Sequence, residues 1–257
     1  MKITAGEPVE PFDIGLVFAG NTTDSQENIL REAAARWDID GEGGTIAQSG
    51  PCVARTTRFA GSGPDYREVA VGSIVLDRED ARILEFAGMF AAAMEHHIAH
   101  VLGFGLERDW RRKGLLRSVA RADSAADVQF TGPLAIAAFD AAGGSGYTGG
   151  GRVPVENVGP GAGEHWRGSV FGNELMTHLL ADASPPLSLI TIESLADMGY
   201  GIDLTRADEY TLPEAGASRM FVPPAAGPVI RLGDDILRNP VMVVDRDGRV
   251  VRIHDPR

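Results

Sequence analysis

Apolar and polar residues alternate from Phe12 to Phe18, which places Phe12, Ile14, Leu16 and Phe18 on one side of the chain. A period of two predicts a half-buried strand. Thr23-Asp24-Ser25-Gln26 follows with the character of a helix-opening capping box. Beyond it Ile29, Leu30, Ala33, Ala34 and Trp37 recur at helical spacing. Gly41 to Pro51 reads as a glycine-rich connection, and Val69 to Leu76 as a second strand. From about Asp80 the pattern turns helical. A single helix is expected through His96 and His100 to Gly103, where Gly103 and Gly105 are natural stops. Ala141 to Gly163 carries nine glycines and reads as loop, either a flexible linker or an ordered lid beside a cleft. Ser188 to Met198 predicts another helix, with Leu189, Ile192, Leu195 and Met198 on one face. Near the end, Val241–Val244 and Arg249–Ile253 flank Asp247-Gly248, a strong hairpin signal. No internal repeat is present.

Composition narrows the function classes. With 257 residues, 44% hydrophobic and 23% charged, the chain can bury a large core. Its net charge of −12 argues against nucleic acid as a partner, because an acidic surface repels phosphate. Cys52 is the only cysteine, which excludes an internal disulfide, and it reads as a small buried apolar residue. No apolar run reaches the length of a membrane span, and the first residues lack an apolar signal core. The expectation is a cytoplasmic protein or one exported by a non-standard route. None of the glycines follows a strand with dinucleotide-binding spacing, so no such site is indicated.

The chemistry concentrates in Met94-Glu95-His96-His97-Ile98-Ala99-His100-Val101-Leu102-Gly103. Histidines four apart on a helix point the same way, since each residue turns it by about 100°. Such a pair can grip one metal ion. In the metallopeptidase pattern H-E-x-x-H the Glu is the general base, and here His97 stands in its place. Catalytic zinc needs about three protein ligands and an open position for water. The compact metzincin spacing would put the third ligand at Leu106, so it must come from elsewhere, and His165 and His178 are available.

His96-x-x-x-His100-x-x-Gly103, a long insertion, His165-Trp166 and Glu174-Leu175-Met176-Thr177 together resemble the leishmanolysin family of metzincin zinc metallopeptidases. The flanks agree: Asp13-Ile14-x-Leu16-x-Phe18, Phe130-Thr131-Gly132-Pro133, Val153-Pro154-Val155-Glu156-Asn157, and Pro186-Leu187-Ser188 through Leu195-Ala196-Asp197-Met198-Gly199-Tyr200. The likeness runs from Phe12 to about Pro213. It implies that His96, His100 and His165 bind Zn2+, that Gly103 turns the chain away after the zinc helix, and that Met176 forms an apolar floor beneath the metal. It implies an α/β (α+β) fold of metzincin type, with a twisted sheet and active-site helix, then a largely irregular C-terminal part with helices. To this the sequence adds the terminal β-hairpin. The corresponding division is 1–105 for sheet and zinc helix, 106–213 for third ligand and Met-turn, and 214–257 for the tail.

The expected function is a zinc metalloendopeptidase acting on peptide or protein substrates, with weak activity because the base Glu is absent. The alternative is a pseudo-protease that keeps the zinc and acts as a binding or structural protein. His97 can accept a proton in place of Glu, or rotate in and bind the metal. Glu95 does not substitute, since it lies about 100° from His96 on the side opposite His97. There are two further departures from the family. His178 stands where relatives usually have Gly, and Asp40 to Gly44 follows Trp37 almost directly where they carry another strand-forming segment.

Overall fold

The computed structural model describes residues 46–56, 67–119, 127–159, 161–214, 229–245 and 247–254. The strand expected at 12–18 and the helix expected after Thr23 lie outside these residues. The described architecture is mixed α and β, with several small sheets and helices between them.

Two long strands, β1 (Ala47–Thr56) and β2 (Arg67–Leu76), pair antiparallel. β2 contains the strand expected at Val69 to Leu76. β1 replaces much of the expected glycine-rich connection. Gly50-Pro51-Cys52 breaks the alternation there, and the register shifts between Pro51 and Val53. A bulge of this kind is where a strand tolerates a proline without an N–H. Cys52 is half-buried rather than buried, with its thiol 3.3 Å from Ser73 Oγ.

The helix expected from Asp80 to Gly103 is two helices, α1 (Arg78–Phe86) and α2 (Phe90–Val101). Gly88, at φ 71°, causes the break. Met89 N donates to Leu84 O (2.8 Å) and Gly88 N to Glu85 O (3.0 Å), which is a Schellman stop. Buried Leu84 and Met89 share one apolar cluster there. The same device ends α2. Gly103 sits at φ 101°, with Phe104 N on Ala99 O (3.0 Å) and Gly103 N on His100 O (2.9 Å). Only glycine adopts this backbone without strain.

Helix α2 packs on β1 and β2. The short helix α3 (Glu107–Arg112) then carries Trp110 into the core. Strands β3 (Leu116–Val119), β4 (Asp127–Phe130) and β5 (Val153–Pro154) form a second, antiparallel sheet. Between β4 and β5 lie α4 (Pro133–Ala141) and α5 (Ser145–Thr148). The glycine-rich stretch read as loop therefore holds a short helix and a strand. Val153 and Val155 anchor it by turning into the core. Phe104, Trp110, Phe130, Trp166 and Phe171 stack or meet edge to face, with ring centroids 4.9–6.0 Å apart. This aromatic block makes the floor on which the histidine site stands.

After the short helix α6 (Gly168–Phe171), strand β6 (Leu179–Leu180) pairs with β7 (Ile230–Arg231). Helix α7 (Leu189–Asp197) begins at Ser188, whose hydroxyl accepts from Thr191 N (3.3 Å). Of the face expected, Ile192 and Met198 are buried and Leu195 packs on the core, while Leu189 is exposed and Ile190, Thr191 and Ser194 are buried in addition. The terminal hairpin forms as β8 (Val241–Val244) and β9 (Val250–His254). β8 also pairs parallel with β1, which gives one sheet in the order β2-β1-β8-β9.

Asp197, at the end of α7, accepts the backbone N–H groups of Leu134 (3.1 Å) and Ala135 (2.9 Å) at the start of α4. It serves α4 as an N-cap supplied from another helix. Asp197→Ala is expected to cost about 1 kcal/mol, read as a lower urea midpoint with unchanged slope.

Candidate metal centre

Three of the histidines singled out in the sequence come together. His96 and His100 project from α2, and His165 reaches them from the turn before Trp166. Their Nε2 atoms stand 2.9 Å (96–100), 3.2 Å (96–165) and 3.3 Å (100–165) apart. A fourth group joins them that the sequence did not single out. Asp235 Oδ2 lies 2.9 Å from His96 Nε2, 3.3 Å from His100 Nε2 and 3.1 Å from His165 Nε2. All four residues are fully buried.

Each ring is oriented from behind by a backbone carbonyl. His96 Nδ1 donates to Leu175 O (2.7 Å), His100 Nδ1 to Phe104 O (2.9 Å) and His165 Nδ1 to Gly161 O (3.3 Å). A carbonyl only accepts, so each Nδ1 carries the hydrogen, and in a neutral ring Nε2 is left as a bare lone pair facing inward. The Schellman turn at Gly103 is what delivers the Phe104 carbonyl to His100.

The donor set fits a divalent cation. Three imidazole lone pairs and one carboxylate oxygen, packed without solvent, repel one another unless a positive charge lies between them. The six edges of the tetrahedron span 2.9–3.3 Å. Zinc with bonds of about 2.0–2.1 Å requires edges of ~3.3 Å. The electrostatics differ from group to group. Burial, the largest influence on His96, pushes its pKa down to about 4 and keeps it neutral. Burial opposes charge on Asp235 too, yet His165 and His100 beside it hold its carboxyl well below the ordinary range. At His165 burial is again the largest influence and lowers the pKa, but the attraction of Asp235 outweighs it and the net shift is upward.

The segment around the third histidine is held by Glu174. This fully buried carboxylate accepts from Met176 N (2.6 Å), Ser188 N (3.2 Å), Ser188 Oγ (2.6 Å) and Thr191 Oγ1 (2.5 Å). Burial raises its pKa, against the hydrogen bonds it accepts. Trp166 Nε1 donates to the same Thr191 hydroxyl (2.8 Å), and Trp166 N donates to Met176 O (3.0 Å). Met176 is fully buried in the aromatic core. Glu174 thus ties α7 to the carbonyl of Leu175 that aims His96.

His97 is also fully buried, but it is not one of the four converging groups. Its Nδ1 lies 3.0 Å from Ser49 Oγ on β1, and its Nε2 has no partner among the described residues. Burial takes its pKa down to about 3. His178, the other candidate third ligand, stands apart from the four. It is half-buried, and its Nδ1 lies 3.4 Å from Glu156 Oε2. Burial lowers its pKa despite the attraction of Glu156.

Asp235 gave no signal in the sequence beyond an acidic pair, Asp234-Asp235, between the apolar Leu232 and Ile236. The chain matches no protein-family model and no curated protein.

Glu174→Ala leaves two buried N–H groups and two hydroxyls without their acceptor. It is expected to destabilise by about 3 kcal/mol or more and, through the Leu175 carbonyl, to weaken metal affinity by about 10–100-fold. Thermal unfolding and competition with a metal-sensitive dye measure the two effects.

Proposed function

We propose that this protein is a zinc-binding relative of the leishmanolysin-type metalloendopeptidases whose metal site is closed, so that it acts as a binding or structural protein. The observation that carries this reading is Asp235. Its Oδ2 lies within 3.3 Å of all three histidine nitrogens, at the corner where a catalytic site keeps water. The burial of all four groups supports it further, because a catalytic centre needs a coordination position that water and peptide can reach. Bound there, zinc supplies a Lewis-acid charge. His96, His100 and His165 hold it as neutral ligands, Asp235 neutralises part of its charge, and the three backbone carbonyls fix the rings.

A second reading, a weak zinc metalloendopeptidase, is favoured by one specific observation. The ring of His97 occupies the general-base position with an unpartnered Nε2, and an imidazole can take a proton from water. This activity requires that Asp235 first leave its corner.

Metal analysis by mass spectrometry is expected to find one zinc per chain in the parent and a substoichiometric amount in His165→Ala. Casein incubated with the zinc-loaded parent is expected to stay intact. Chelator-sensitive cleavage by the parent would instead favour the peptidase reading. Chelation of the metal is also expected to lower the melting temperature. Zinc at about 1,000 times its Kd stabilises the folded state by about 4 kcal/mol, and differential scanning calorimetry with and without chelator reads this loss.

A further inference from the structure

We propose that the strap formed by residues 233–238 is the gate through which the metal enters and leaves, and that the ion pair of Arg238 with Glu164 is the clasp that sets how fast this gate opens. The proposal rests on the zinc-site reading above and adds how the closed centre exchanges its ion.

His96, His100, His165 and Asp235 are all buried. An ion between them has no path to solvent until a covering segment moves. Three of the four ligands stand on backbone that is built into the fold. His96 and His100 belong to α2, which packs on β1 and β2. His165 O accepts from Glu156 N (2.8 Å), and the next residue, Trp166, is locked in the aromatic block. Asp235 differs. From Leu232 to Pro240 the chain has neither helix nor ladder, only one bridge of Ile236 to Ser49. Both ends of this stretch are fixed. Ile230–Arg231 pairs with Leu179–Leu180, Leu232 N donates to His178 O (2.9 Å), and Val241 opens β8. The strap between them is the covering segment that moves at least cost.

Few bonds hold it down. Ser49 N donates to Asp235 O (2.8 Å), Leu237 N to Ser49 O (2.8 Å) and Gln48 Nε2 to Asp234 O (3.1 Å). Where the strap crosses its neighbours it lies on glycine. A Cβ on Gly50 would stand 2.7 Å from Leu237 O, and one on Gly161, in the turn before His165, 2.7 Å from Gly233 O. Bare backbone at both crossings lets the strap lie flush and leaves no side chain interlocked there. Ile236, Leu237 and Arg238 also border a cleft of about 160 Å³, lined further by Pro51, Leu106 and Glu164. Ile236 is a buried apolar anchor of the strap. The cleft gives it space to turn into, so lifting the strap does not require unpacking the aromatic block.

The clasp stands at this cleft. The Arg238 guanidinium pairs with Glu164 Oε1 and, at 3.1 Å, with Asp234 Oδ1. Glu164 directly precedes His165, and Arg238 follows Asp235 by three residues. One ion pair therefore ties the segment of the third ligand to that of the fourth, and Asp235 cannot withdraw while it is made. The partners differ in exposure: the Glu164 side chain is 9% exposed and that of Arg238 53%. The carboxylate is set into the fold, and the guanidinium comes away from the solvent side. Glu164 Oε2 has no partner among the described residues, so the carboxylate leans on Arg238.

The test follows zinc uptake and release by the full chain with a chelating dye. Release into excess dye is expected to be slow in the parent. Arg238→Gln is expected to release zinc at least about tenfold faster and to take it up faster by a similar factor, so that affinity changes less than either rate. Glu164→Gln is expected to do the same. The double variant is expected to be no faster than either single one, since both break the same interaction. Salt is expected to speed release from the parent, by screening the half-exposed pair, and to have little effect in Arg238→Gln. In the metal-free chain, amide exchange at Ser49 and Leu237 is expected to be faster in Arg238→Gln, while that at Leu232 is unchanged. The double variant leaves no unpaired buried carboxylate and carries the test should a single variant fail to fold. If the folded variants release and take up zinc at the parent's rates, the proposal is overturned while the metal site stands. It is also overturned if release alone accelerates, because the pair then steadies the ligands without gating them. If the parent binds no stoichiometric zinc, the underlying site reading fails, and the gate with it.

Discussion

Four electron-pair donors face one another in a pocket without solvent, and the rest of the described structure is arranged to keep them there. Imidazole nitrogens and a carboxylate oxygen at 2.9–3.3 Å gain nothing from mutual contact. They stay together because each is held from outside. Helix α2 fixes His96 and His100 at a spacing of one turn, carbonyls from three different segments aim the rings, and the Glu174 cradle holds one of those segments against α7. The aromatic block beneath provides stiffness. Closely packed rings transmit displacement instead of absorbing it, so a site built on them keeps its geometry to a fraction of an ångström.

Much of this was legible in the sequence, and the reasons differ from residue to residue. His96 and His100 are visible because helical spacing is a local property. His165 is visible because the motif around it, His165-Trp166 with Glu174-Leu175-Met176-Thr177, resembles a known arrangement, although the contact spans 69 residues. Asp235 carries no such mark. An aspartate in a short polar turn is among the commonest features of any chain, and nothing local says that it will cross 139 positions to reach His96. Ser49 is hidden for the same reason, and also because Gly50-Pro51 disguises the strand that carries it.

The elements that differed from expectation did so where a local signal lost to tertiary context. Apolar spacing continues across Ala87-Gly88-Met89, yet the chain breaks there, because Gly88 turns at φ 71° and Met89 joins Leu84 in a buried cluster. Leu189 has the right spacing for the core but stays exposed at the first turn of α7, where Ser188 is held by Glu174 and Ile190 is the residue that is buried. The glycine-rich stretch gains order from two valines, Val153 and Val155, that no count of glycines reveals.

The parallel pairing of β8 with β1 has a bearing on how the molecule assembles. Strands separated by nearly the whole described length lie side by side, Val53 against Met242 and Arg55 against Val244. Contacts of such long range form late, since the entropy of closing the intervening loop must be overcome first. As the chain emerges from the ribosome, the three imidazoles are made well before the acid that joins them. The histidine cluster therefore gains its carboxylate only when the segment bearing Asp235 docks between Leu179–Leu180 and Ser49, so closure of the centre is the last step that its topology allows.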